Sequence, residues 1–98
     1  KRQIEEYVCS DKFKWDCAKV KRIIFLESSY NPRAVHKNKN GSIDRGIFQI
    51  NSIAHPAVSS DCAFDYKCAT DYSYILWLKQ GFRPWYEIYY LLIDREKA

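Results

Sequence analysis

The 98-residue sequence has no apolar run approaching the roughly 20 residues that a membrane-spanning helix needs. Its opening, KRQIEEYV, lacks a hydrophobic signal region, so the chain reads as a mature or trimmed domain. No repeat, linker or low-complexity tract divides it, and a single domain over residues 1–98 is expected. Lysine and arginine are scattered and form neither a basic run nor a nucleic-acid motif, so nucleic acid is not expected as a partner. Histidine is scarce, with His36 and His55 alone, and the cysteine spacings C-x7-C and C-x5-C miss the short knuckles that zinc prefers. Asn38-x-Asn40-Gly41 echoes a calcium loop, but Ile47 stands where the ligating glutamate belongs. Asn40-Gly41-Ser42, a formal glycosylation sequon, reads as turn chemistry.

What is present is compact and aromatic: eight Tyr, five Phe and three Trp. A chain of this size buries only about 60–70% of its unfolded surface, so covalent staples help. Cys9, Cys17, Cys62 and Cys68 favour two disulfides and an oxidising compartment over zinc or free thiols. Of three possible connectivities, the local pairs Cys9–Cys17 and Cys62–Cys68 are preferred, because partners close in sequence meet easily. The net charge of +4 suits a partner carrying carboxylates or phosphates, bacterial cell wall included, and equally serves solubility alone.

Periodicity places a short helix over residues 2–9 and a second from an Asp16 N-cap to about Ser28. Glu27 falls on the apolar stripe of that second helix, beside Val20, Ile23 and Ile24. Pro32 is expected to force the chain out of the helix. Ala34-Val35-His36 and Ser42-Ile43-Asp44 flank an Asn-Gly turn, a hairpin signal that puts Asp44 on the return strand. Residues 47–51 read as strand or loop, and 52–66 as irregular. Ala69 to Gln80 is a helix ended by Gly81, and Pro84 starts a last helix through Trp85, Ile88, Tyr89, Leu91 and Leu92. The fold class is α+β, mostly helical, with a small β-hairpin element beside the candidate cleft.

A glutamate on an apolar face is costly to ionise, so it holds a proton near neutral pH and can act as a general acid. Asp44, in a hairpin rich in Asn, Ser and Lys, is expected to stay ionised. Two carboxylates with opposed environments suit cleavage of a glycosidic bond, one protonating the leaving oxygen and the other facing the developing oxocarbenium ion. The alternative is structural, with Glu27 paired to a nearby Lys or Arg and Asp44 capping the turn.

The surrounding residues resemble the lysozyme-like superfamily, which cleaves the muramyl–glucosaminyl bond of peptidoglycan. Glu27-Ser28 with Asn31-Pro32-x-Ala34-Val35 is similar to soluble lytic transglycosylases and phage muramidases. The run from Asn40 to Ser52, NGSIDRGIFQINS, is more similar to animal c-type lysozyme, and GFRPW (81–85) to a motif near the end of the bacterial and phage domains. The two-carboxylate argument is itself that of lysozyme, so it does not stand apart from this resemblance. The resemblance implies Glu27 as general acid and base, Asp44 as nucleophile or oxocarbenium stabiliser, and no cofactor or metal. It implies Ser28, Asn38, Gln49 and Asn51 on the sugar side, and Trp85 as the apolar wall beside the acid or as plain core. The tandem tryptophans that follow Asn-Ser in many c-type enzymes are absent; Ile53, Ala54 and His55 stand there, with Tyr66 or Phe64 as the replacement platform.

Three functions follow from the resemblance. The first is hydrolysis between N-acetylmuramic acid and N-acetylglucosamine. The second is non-hydrolytic lytic transglycosylation by Glu27 alone, and the third a cell-wall glycan-binding module without chemistry. All three imply a monomer acting on peptidoglycan glycan strands, secreted, periplasmic or extracellular, on a bacterial wall or a virion.

Overall fold

The computed structural model describes residues 1–91. Helix α1 (Arg2–Val8) buries Ile4 and Val8. Helix α2 (Cys17–Ser28) starts where the sequence places it: the Asp16 carboxylate accepts from the Lys19 N–H, satisfying a donor that has no partner within the helix. Val20, Ile23 and Ile24 form its buried face. Pro32 does not end this helix. Ser29 caps it in the left-handed conformation, with φ 52° and ψ 37°, and Tyr30 follows at φ 64°. The chain has therefore turned away before it reaches the proline.

Strands β1 (Val35–Lys37) and β2 (Ile43–Arg45) form the expected hairpin, with His36 opposite Asp44. Gly41 takes φ 86° at the turn, and its N–H bonds to the Asn38 carbonyl at 3.1 Å. A third strand, β3 (Ile50–Asn51), completes an antiparallel sheet of order β1-β2-β3 and sets Asn51 opposite Asp44. The link between β2 and β3 buries Ile47 and Phe48, and this inward turn explains the mixed periodicity there.

Residues 52–66, expected to be irregular, contain a one-turn helix, α3 (Ser60–Ala63). Helix α4 (Tyr66–Gln80) begins three residues ahead of the expected Ala69. Caps account for both: Ser59 accepts from the Cys62 N–H, and Asp65 accepts from the N–H groups of Lys67 and Cys68. Gly81 ends α4 as expected, at φ 62°. The last segment differs from an α-helix: Arg83–Trp85 is a 3₁₀ turn containing Pro84, and Glu87–Leu91 is π-helical. Leu92, assigned to the same helix from the sequence, lies outside the described residues.

Disulfides Cys9–Cys17 and Cys62–Cys68 follow the local pairing, the first joining α1 to α2 and the second α3 to α4. The core is aromatic. Phe13, Trp15, Phe48 and Trp85 make successive ring contacts at centroid separations of 5.4, 6.1 and 5.9 Å. Tyr74 and Trp77 of α4 pack on Trp15, at 5.2 and 6.3 Å. Each such pair contributes about 0.5–1.5 kcal/mol beyond its buried area. Among the described residues, no helix is long and apolar enough to cross a membrane. The architecture is mostly helical α+β with a small sheet, as expected.

Candidate active site

Glu27 occupies the last turn of α2, three residues after Ile24 and four after Ile23. Ser28 fixes that turn from beside it. Its hydroxyl reaches the Ile24 carbonyl at 3.1 Å and the Ile47 carbonyl at 2.9 Å, tying the helix end to the β2–β3 link. Ser28 is not among the residues lining the cavity described next.

Glu27 opens into a cavity of about 240 Å³ whose apolar wall is Phe48, Ile50, Ala54, Leu76, Pro84 and Trp85. Burial here pushes the Glu27 carboxyl from its ordinary 4.5 up to about 8, and the negative charge of Asp44 adds to the effect. At neutral pH the group therefore carries its proton. Trp85 is buried between Phe48 and Phe82, and it also lines the cavity.

Asp44 is held in the middle of β2 by two side-chain amides, one on each oxygen. Asn51 donates to Oδ1 at 2.9 Å and Asn38 donates to Oδ2 at 3.2 Å. The buried Ser42 hydroxyl accepts from the same two amides, at 3.0 and 3.1 Å, and donates to Asn40. Asn51 thus joins β3 to the hairpin and also lines the cavity, whereas Asn38 reaches Asp44 from the turn. Gln49 lines the cavity as well, at φ 52°, and its amide donates to the Ala34 and Gly46 carbonyls. The neighbouring Arg45 is buried and braces the loop beyond β3, donating to the Ile50 and Val58 carbonyls.

Two cavity residues went unread in the sequence. His55 enters the sequence reading only as one of two histidines and as a departure from tryptophan, and Ser73 belongs to no motif. Both line the cavity with Glu27. A lone histidine or serine carries no spacing signal, and Ser73 stands 46 positions after Glu27. Tyr66 does not serve as a platform here. It packs edge-on against Tyr7 at 6.1 Å and lines a separate groove with Gln3, Glu6 and Lys67. Phe64 is half-buried and is not part of the cavity wall.

A family model described as "Lysozyme like domain" matches residues 6–86. This chain belongs to the lysozyme-like domain family. Lysozyme c-1 of Anopheles gambiae is 33% identical over 87 residues, covering 74% of this chain and 56% of that protein. Lysozyme C of Scophthalmus maximus is 69% identical over 26 residues, covering 26% of this chain and 18% of its own. The chain thus spans little more than half the length of the first relative and less than a fifth of the second. No solved structure matches it. The two carboxylates differ in setting: Glu27 lies in a partly open, mostly apolar cavity, and Asp44 on a sheet among amides.

Proposed function

We propose that this chain is a catalytic domain that cleaves the β-1,4 bond between N-acetylmuramic acid and N-acetylglucosamine in peptidoglycan. The observation that carries the reading is the cavity-facing Glu27, held protonated near neutral pH by burial and by Asp44. In hydrolysis, Glu27 gives its proton to the glycosidic oxygen as the bond to the muramic C1 breaks. Asp44 acts on the sugar's other side as nucleophile or as counter-charge to the oxocarbenium ion. A water then adds to C1 and returns a proton to Glu27. No cofactor or metal enters this scheme. Ser28 positions the acid through the end of α2, and Asn38 and Asn51 orient Asp44. Gln49, Asn51 and Trp85 shape the wall that the sugar meets.

A second reading draws support from Asp44 itself, which both amides hold and which is not among the residues lining the cavity. Glu27 would then act alone. The C6 hydroxyl of the muramic residue would close on C1, give its proton to Glu27 and leave a 1,6-anhydro ring. Mass spectrometry of soluble products from purified peptidoglycan separates the two. Reducing muropeptides indicate the hydrolase, and products lighter by one water indicate the transglycosylase. Absence of any soluble product would overturn both and leave a glycan-binding module.

Two disulfides in one small domain support an oxidising location, so the protein is proposed to act outside the cytoplasm, in the periplasm, on the cell wall or on a virion. A single domain working as a monomer on glycan strands completes the proposal.

A further inference from the structure

Besides Glu27, four polar side chains line the cavity: Gln49, Asn51, His55 and Ser73. Their remaining hydrogen-bonding capacity differs sharply. Asn51 has none left. Both its amide hydrogens go to Ser42 and Asp44, and its oxygen accepts from the Ile53 and Ala54 N–H groups. Gln49 gives both amide hydrogens to backbone carbonyls. His55 spends only Nδ1, which lies 2.8 Å from the Tyr72 hydroxyl. Ser73 is wholly buried, and its hydroxyl has no partner among the described residues.

A buried hydroxyl left without a partner is costly to keep, and the half-buried His55 ring keeps a second nitrogen for which no partner is seen among the described residues. Both sit on the same side: Ser73 follows Tyr72 on α4, and Tyr72 holds His55, with the two rings edge to face at 5.5 Å. Trp85 and Pro84 line the same cavity. A cavity lined by both apolar surface and unspent polar groups suits a pyranose, which has an apolar face and polar edges. The negative charge of nearby Asp44 disfavours a carboxylate here, so the complementary atom is a neutral hydroxyl or amide oxygen.

We propose that His55 and Ser73 are the residues that read the sugar in this cavity, Tyr72 donating to Nδ1 so that Nε2–H points its proton to a neutral sugar oxygen. Ser73 supplies a hydroxyl that donates or accepts as that sugar requires. Burial and the Arg45 charge both lower the His55 pKa, which keeps the imidazole neutral and the tautomer meaningful. The inference rests on the glycosidase reading and names its specificity residues.

The test is the kinetics of His55→Phe and Ser73→Ala on soluble N-acetylglucosamine oligosaccharides, with ¹⁵N NMR of the His55 ring in Glu27→Gln. Each variant is expected to raise KM about three- to tenfold, with the loss in KM rather than in kcat. Ser73→Ala is expected to keep or raise Tm, because it removes a hydroxyl without a partner. The NMR should show the proton on Nε2, and that resonance should move when the N-acetylglucosamine trimer is added. Unchanged KM in both variants, a proton on Nδ1, or an unmoved ring resonance overturns the inference. If His55→Phe does not fold, Ser73→Ala and the NMR decide. A wild-type protein that neither cleaves peptidoglycan nor binds the trimer sinks the glycosidase reading itself. A wild type that cleaves while the variants keep its KM sinks only the assignment of His55 and Ser73.

Discussion

Asp44 stands close enough to Glu27 for its negative charge to raise the Glu27 carboxyl beyond what burial alone does. The two acids are therefore coupled, and changing one is expected to retune the other.

Asp44→Asn removes the like charge. Ionised Glu27 becomes easier to form, so its pKa falls below about 8, but burial, the larger cause, keeps it above the ordinary 4.5. A ¹³C-carboxyl titration of both proteins measures the shift. An unmoved Glu27 would show that the coupling is absent. The alkaline limb of any activity profile should move to lower pH together with it.

Glu27→Gln should reduce turnover of peptidoglycan by at least about 100-fold, the usual contribution of a general acid. It should also stabilise the fold at alkaline pH. The folded pKa of about 8 lies above the unfolded value near 4.5, so the folded state binds the extra proton between them. Stability is then fullest below about 4.5 and falls as pH rises through 8. The glutamine variant escapes this loss and should gain about 2–4 kcal/mol over wild type at pH 9, read from urea midpoints. Equal stability near pH 4, below both pKa values, is the control.

Gly46→Ala should be severe. Gly46 takes φ 77°, and a Cβ there would run into the Ala63 carbonyl, which is backbone and has little room to retreat. Strain and overlap together are expected to cost about 2–4 kcal/mol. The melting temperature and the urea midpoint check this, and a variant as stable as wild type would contradict the close approach of Gly46 to the end of α3.

Ser29→Gly should go the other way. Ser29 is a side-chain-bearing residue in the left-handed cap of α2, a position that glycine takes without a steric cost. A gain of about 0.5–1 kcal/mol is expected in thermal denaturation, with Glu27 still in place.

Local chemistry was legible where it acts locally. Asp16 announced the start of α2, the apolar stripe put Glu27 on the inward face, and Asn40-Gly41 announced the hairpin that carries Asp44. The end of α2 near Ser28 was legible but its cause was not: a proline is a visible stop, whereas Ser29 and Tyr30 adopt positive φ under the constraint of their surroundings. Tyr30 shows such a constraint: its hydroxyl donates to the Lys21 carbonyl at 3.1 Å, tying the turn back onto the helix it leaves. Helix α3 was missed because a single turn has no room for periodicity, and only its Ser59 cap gave it away. The far wall of the cavity was missed for a different reason. His55, after β3, and Ser73, on α4, reach the cavity of Glu27 only in the folded chain, and no residue near them in the sequence records that meeting.

Both disulfides close short circuits, eight and six residues apart in sequence, and together they use every cysteine in the chain. One fastens helix to helix at the front of the chain and the other does so near its middle; neither reaches the sheet that carries Asp44. Between the helix that carries Glu27 and the sheet that carries Asp44, the links are therefore the intervening backbone, packing and hydrogen bonds, with no disulfide across the site.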